Sequence, residues 1–417
     1  MLNKILNILE TEHITEYLIN EEQQRSEEVF FIKKNVELKR RKDITKYLIT
    51  LFYDFPVSDE GKQLRGSSSC TISTAMNDAQ IQETILNTYK AATYTKNPYF
   101  PILSANDTRQ IPGSSNDLPT IEACTHALFA NDTDTNTFIN SAELFITTTW
   151  YRIINSNGVD VSYTQTSYFG EFVVQSIIKE DIELYQDFSF TDADINIIEN
   201  IKQLVKDTLA HGKNRSTAIP VSKEHVFDTV ILEGGCLKDF FVYFTERCDA
   251  TMIYPGYSNY KAGMKLDFTK AKLDITLLPD TPYTTEGIPL EERPLIQANE
   301  IKTITGDLRF SHYLGIPATG TYKNFKVTCG TDTLTPQKNS LRIVQFSDFQ
   351  MDSLTGQFGG EYRLAYYTNA DGVTIPVTNG SVSGSILDIK DSLTLSNESF
   401  SLNGYSGPKA IRYQMIS

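Results

Sequence analysis

Histidine is scarce in this chain: five in 417 residues, at positions 13, 126, 211, 225 and 312. They are scattered, and no HExxH-like cluster forms. Five cysteines, at 70, 124, 236, 248 and 329, include no CxxC pair. Their odd number points to reduced thiols rather than a disulfide framework. GxSxG, Walker and GxGxxG patterns are all missing. No apolar run approaches the ~20 residues of a membrane span. The opening MLNKILNILETEH is amphipathic and acidic, unlike a secretory leader. Together these absences predict a cytoplasmic protein with no membrane partner. Positive charge is also in deficit, with 38 Lys and Arg against 52 Asp and Glu and a net charge of −14. That balance argues against a nucleic-acid partner. The only basic cluster, KKNVELKRRK from Lys33 to Lys42, alternates like the exposed face of a strand.

What is present suits ordinary cores: 40% hydrophobic and 22% charged residues, with Thr, Ser, Tyr and Asn favouring strands and polar loops. Helical spacing over 2–20 predicts one helix or two short ones. Consecutive antiparallel strands are expected over 27–73: EEVFFIKK, VELKRRK, ITKYLITLFYDF and GKQLRGSSSCTIS. Next come a helix from Asp78 to Ala92, a long loop over 97–117 and a helix near 119–130. Strands at 140–155, 158–166 and 170–179 lead into a helix over 191–211. From 273 onward the pattern is short strands broken by Gly, Pro and Thr, with one short helix near 384–391. The fold class is therefore α+β in two domains: a helix-flanked antiparallel sheet over 1–220, and a mostly β domain with few helices over 221–417.

The second half starts with VILEGGCLKDFFVYFTERCDA, Val230 to Ala250, a strand meeting two glycines and then a helix. Leu237, Phe240, Phe241, Phe244 and Cys248 form a single apolar stripe at helical spacing. Cys236 and Cys248, twelve residues apart in the sequence, would stand roughly 18 Å apart along a helix. They cannot share a metal and read as small core residues. Glu233-Gly234-Gly235 reads as a tight turn, since Glu233 would repel an anion.

Further along, YTTEGIPLEERPLIQANEIKTITGDLRFSHYLGIPATGT over 283–321 and MDSLTGQFGGEYRLAYYTNADGVTIPVTNGSVSGSI over 351–386 carry a likeness. They resemble the C-terminal domain of the TldD/PmbA family of metallopeptidases, also called modulators of DNA gyrase. The matching positions are Glu286-Gly287 with Pro289, Leu295-Ile296, Thr319-Gly320, Thr355-Gly356, Phe358, Pro376-Val377 and Gly384. RGSSSCTIS and the RIINSNGVDVSYTQ hairpin resemble the family's N-terminal domain more loosely. Thr285 stands where the family usually has Asp, and Thr321 where it usually has Asn.

The resemblance carries an implication for the helix after Gly235. In the TldD branch this segment bears HExxxH, two zinc ligands and a water-activating glutamate, with a cysteine ligand near the C-terminus. Here Phe240, Phe241 and Val242 fall about where the first His-Glu would be, and Glu246 near the second His. NGYSGPKAIRY near the C-terminus has no cysteine. The likeness is therefore to the PmbA (TldE) branch, which lacks the motif and pairs with a TldD subunit. It implies no metal and no cofactor in this chain, with zinc expected only in a TldD-like partner. The partners it implies are that HExxxH subunit, or a second copy as a homodimer, and a peptide substrate. Glu286, Gly287, Thr319 and Gly320 are the candidate substrate-binding residues, and turn and packing roles are the alternative for them. Two other functional readings stay open at this point. One is a peptidase with a non-standard site drawn from Glu286, Glu246, Asp239, His312 and Cys329. The other is a stand-alone homodimeric peptide-binding or scaffold protein.

Overall fold

The computed structural model describes residues 1–57, 59, 61–107 and 118–415. The first 217 residues build one seven-stranded antiparallel sheet and four helices. Helix α1 (Leu2–Thr11) leads into β1 (Tyr17–Ile32), β2 (Asn35–Asp54) and β3 (Leu64–Ser73). Helix α2 (Asp78–Ala92), the short β4 (Asn97–Pro98) and α3 (Ile121–Phe129) follow. Then come β5 (Thr137–Asn155), β6 (Asp160–Ser176), β7 (Ile182–Thr191) and α4 (Ile197–Thr217). The strand order is β4-β3-β2-β1-β5-β6-β7, with β1 paired to β2 and β5 along its whole length.

Helix pairs cover the two ends of one face. Ile5, Leu9, Ile81 and Ile85 of α1 and α2 pack on Ile19, Ile49, Leu51 and Ile72. Leu128, Ile201 and Val205 of α3 and α4 pack on Val29, Leu144, Phe172 and Phe188. The basic stretch lies on β2, where Arg40 and Lys42 flank the buried Glu28 and Arg41 meets Glu27.

Several expectations need correction here. The helical spacing beyond Thr11 does not hold: His13 turns left-handed at φ 54°, Tyr17 pairs with β2, and Leu18 and Ile19 pair with both β2 and β5. The two strands expected over 35–54 are one, because nothing interrupts the alternation. The two expected over 158–179 are also one. Gly170 lies inside this strand and leaves room for Phe188, since a Cβ there would stand 2.3 Å from its ring. Strand β7 was not anticipated, and α4 begins later than expected, after a turn in which Asp194 accepts from the Thr191 N–H at 2.7 Å. Asn77, not Asp78, caps α2, in a reciprocal box with Gln80. Residues 108–117 of the predicted loop lie outside the described residues.

The second half has two sheets sharing one core. In chain order its elements begin with β8 (Ile219–Pro220), β9 (Thr229–Glu233), α5 (Cys236–Arg247) and α6 (Ala250–Ile253). They continue with β10 (Ile275–Leu278), β11 (Arg293–Gln297), β12 (Glu300–Ile301), α7 (Leu308–Leu314) and β13 (Asn324–Val327). Next are β14 (Ser340–Met351), β15 (Gln357–Thr368), β16 (Thr374–Thr378), β17 (Gly380–Ser385) and α8 (Ile386–Ile389). The last are β18 (Thr394–Leu395), β19 (Ser399–Leu402), β20 (Tyr405–Pro408) and β21 (Ala410–Gln414). One sheet runs β12-β11-β10-β13-β20-β19 and the other β18-β21-β9-β14-β15-β16-β8, with β17 on β15. Helix α8 stands where the sequence predicts it, whereas α6 and α7 were not anticipated.

The halves meet through a turn. Residues 284–288 close on themselves, with Gly287 N–H donating to Thr284 O at 2.9 Å and the Thr284 hydroxyl accepting from Glu286 and Ile288. Gly287 adopts φ +88° and faces Val159, Leu103 and Ile153 of the first half, where a Cβ would meet Val159 at 3.1 Å. Tyr283 and Ile288 complete this apolar cluster. Glu286 is carried inward with it. Its carboxylate accepts from the Leu308 N–H at 3.1 Å, and among the described residues no cation offsets its burial. Burial, reinforced by Asp307, pushes its pKa to about 7.

This packing makes two outcomes measurable. Arg65 is 1% exposed and gives Asp54 a two-point ion pair at 2.6 and 2.8 Å. It also donates to Phe100 O at 2.8 Å and stacks 4.4 Å over Tyr99. Arg65→Met should lower stability by about 3 kcal/mol in urea unfolding, and Asp54→Asn in that background should cost little more. Glu286→Gln keeps the acceptor and removes the charge. A carboxyl whose folded pKa is raised destabilises the native state as pH climbs from its unfolded value towards 7. The variant should therefore melt above the parent at pH 8, with the difference vanishing near pH 4, as read by thermal scans across that range.

Candidate functional site

Helix α5 is set by its apolar stripe. Leu237, Phe240, Phe241, Phe244 and Cys248 are all fully buried, in a core drawn from both C-terminal sheets. Phe241 stacks on Tyr405 at 6.0 Å between centroids, and Phe240 meets Phe358 edge-on at 5.4 Å. Burial drives the Cys248 thiol up to about 12 and the Cys236 thiol upward as well, so neither is poised as a thiolate. The turn before the helix holds no free charge. Glu233 lies 3.4 Å from Arg342 and 3.6 Å from Lys409, and Gly234 takes φ +88°.

At the far end of α5 a cleft of about 280 Å³ opens, lined by Glu246, Asp249, Thr305 and Thr321 among others. Asp249 caps α6, accepting from Thr251 N–H at 2.8 Å, and takes the Thr305 hydroxyl at 3.2 Å. Asp307 caps α7, accepting from Phe310 N–H at 2.7 Å. Its pKa is raised by burial, with Asp249 adding to the shift.

The structure brings the four candidate residues together beside this cleft. Gly306 pairs with Gly320 and accepts from the N–H groups of both Thr319 and Gly320. The Thr319 hydroxyl accepts from Gly306 N–H at 3.3 Å. Gly320 lies against Thr284 and Leu290, on the turn that carries Glu286 and Gly287. All four residues thus spend hydrogen bonds on holding the protein's own turns together. The candidates for a non-standard peptidase are not gathered. Glu246 stands in the cleft, Asp239 at the other end of α5, and His312 exposed on α7. The Cys329 thiol donates to Glu398 O at 3.8 Å, and its pKa is raised by burial.

The zinc set that the resemblance attributes to a TldD subunit does not fit this helix. At its positions stand Phe241, sealed in the core, Val242 and the exposed Glu246. Among the described residues no three His, Cys, Asp or Glu side chains are grouped so as to hold a metal ion. Sequence reasoning missed Asp249, Thr305 and Asp307. The signal for Asp307 was present: Asp as an N-cap before LRFSHYL, with Gly315 closing the helix at φ +67°.

Residues 227–414 match the family described as the PmbA/TldA metallopeptidase C-terminal domain. No curated protein matches the chain. Among solved structures it is similar to TldE from Thermococcus kodakarensis, at 13% identity over 99% of this chain and 98% of that one, with a TM-score of 0.75. It is similar too to a putative modulator of DNA gyrase from Thermotoga maritima, at 13% identity, 99% and 98% coverage and a TM-score of 0.74. Another, from Bacteroides thetaiotaomicron, gives 13%, 99%, 97% and 0.72. At that identity the structural likeness establishes the fold over the whole length. Residues 227–414 therefore carry the PmbA/TldA metallopeptidase C-terminal domain, and the chain as a whole shares the fold of these structures.

Proposed function

We propose that this chain is a PmbA (TldE)-like subunit of a TldD/PmbA-type peptidase system, itself without a zinc site, acting with an HExxxH-bearing partner on peptides. One observation carries this reading: a fully buried Phe241 occupies the helix position that the resemblance gives to a metal ligand. Zinc needs imidazole or thiolate within about 2.3 Å. A phenylalanine enclosed by Tyr405 and Phe244 offers neither, and turning it outward would empty part of the core. On this reading the chain contributes surface rather than chemistry. The cleft at the end of α5 keeps its carboxylates, Glu246 and Asp249, and its hydroxyls, Thr305 and Thr321, which can hold polar groups.

Co-expression with a TldD-type subunit is the direct test. An equimolar complex is expected, with peptide hydrolysis that disappears when the partner's HExxxH glutamate is replaced. A chain that elutes alone would overturn the pairing. Metal analysis of the untagged, isolated chain should give far less than one zinc per molecule, and stoichiometric zinc would overturn the metal-free reading.

A further inference from the structure

A second concavity, of about 520 Å³, lies between the two halves, on the opposite side of Glu233 from the core. Its size is within the range of small-ligand sites, but its walls are unusual for one. One wall is β7, the last strand of the first sheet, with β6 as its only strand partner among the described residues. The facing wall is β14. Over 340–343 β14 pairs with both β9 and β15, but beyond Ile343 it keeps only β15. The groove therefore runs between two strand edges.

The orientation of β7 can be read from its neighbours. Ser189 and Thr191 turn their N–H groups off the sheet, to Asn403 at 2.7 Å and Asp194 at 2.7 Å. Residues alternate along an antiparallel strand, so Tyr185 and Asp187 direct their backbone groups the same way, into the groove. Both carbonyls are already used by side-chain amides: Gln345 of β14 donates to Tyr185 O at 3.1 Å, and Gln186 of β7 itself donates to Asp187 O at 2.9 Å. A carboxamide is chemically a peptide group, and it sits on the acceptor that an added strand would use. Tyr185 itself is 53% exposed there.

The charge of the groove is one-sided. Glu183, Asp187, Asp239 and Asp348 line it, opposed by Arg363 within the lining and by Lys238 beside Asp187 and Asp239. Glu233 also faces it but is matched by Arg342 and Lys409. Burial raises the pKa values of Asp187 and Asp239, with Glu171 adding at Asp187 and Asp187 adding at Asp239, and Lys238 offsets only part of each shift, so a further cation beside them would be favoured.

We propose that this groove holds an extended, positively charged peptide segment as an added strand, its main chain on the edge of β7 and a Lys or Arg side chain between Asp187 and Asp239. Strand addition takes affinity from the backbone and selectivity from alternate side chains. The proposal names the class of peptide for the peptide-handling role above and rests on that reading.

The test uses fluorescence anisotropy on the full chain with three labelled octapeptides of matched apolar content: one Lys-rich, one Glu-rich, and the Lys-rich one N-methylated at alternate amides. The Lys-rich peptide should bind, and the other two should bind at least tenfold more weakly. Asp187→Asn with Asp239→Asn should weaken the Lys-rich peptide by about tenfold, as two partly exposed charge pairs allow. Equal binding of Lys-rich and Glu-rich peptides, or no binding of any, overturns the proposal, and neither result depends on a variant that must fold. Insensitivity to N-methylation overturns the added strand. Co-purification of the double variant with the TldD-type subunit should be unchanged, so a failure here is distinguishable from a failure of the subunit reading.

Discussion

The burial of one helix stripe sets most of what this protein can be. Five side chains of α5, from Leu237 to Cys248, must leave water together, and both C-terminal sheets supply the apolar surface that receives them. Each large side chain placed in such a core stabilises the fold by roughly 1.5–3 kcal/mol, so the rotation of α5 about its axis is strongly fixed. A ligating helix must satisfy the opposite demand and keep polar side chains pointed at a common centre. The same residue cannot do both. With Phe241 in the stripe, the helix serves as a beam of the domain, and only its ends reach open clefts, Asp239 near one and Glu246 at the other.

The residues that the family resemblance singles out are tied to that beam and to the other half of the molecule. The turn bearing Glu286 and Gly287 touches Val159 and Ile153 on one side and Gly320 on the other, while Glu286 accepts the first N–H of α7. Helix α7 in turn reaches back to the first half, with Arg309 on Asn97 at 2.7 Å and Tyr313 on Pro98 O at 2.6 Å. Packing and recognition are not rival roles here. A cleft wall built on this turn is held by the interface between the halves, so its position is as firm as their contact. A carboxyl poised near neutrality inside that contact couples its firmness to pH.

Much of this was legible in the sequence, and the losses have physical causes. Local signals survived: the α5 stripe, the span of α2 and the exposed basic strand face all came through, because neighbours in sequence determine them. The failures lie where long-range pairing decides. Tyr17 and Leu18 fit a helix by spacing, yet β2 claims the backbone of both and β5 that of Leu18. Residues 158–166 and 170–179 read as separate strands, yet β6 runs through both, with Gly170 making room for Phe188. Strand β7 has a clean alternation but went unread beside a strongly periodic helix. At the site, Glu286 and Thr319 could be named from motif likeness alone. Their meeting through Gly306 and Gly320 could not, since the whole of α7 intervenes.

Two strand edges facing each other across a groove would ordinarily be a liability, because an open edge invites pairing with another copy of the same chain. The charge pattern resolves this. A second copy of this chain brings the same Glu183, Asp187 and Asp348 to the contact, within a molecule of net charge −14, so edge-to-edge pairing sets carboxylates against carboxylates. Gln345 adds a mild internal plug, bonding one acceptor of β7 in a way that a peptide can displace at little cost, one amide exchanged for another. The features that keep the edges from self-association leave them open to a backbone carrying positive charge. A groove of this kind discriminates by sign while staying tolerant of sequence, because strand pairing reads the main chain and the carboxylates read only charge.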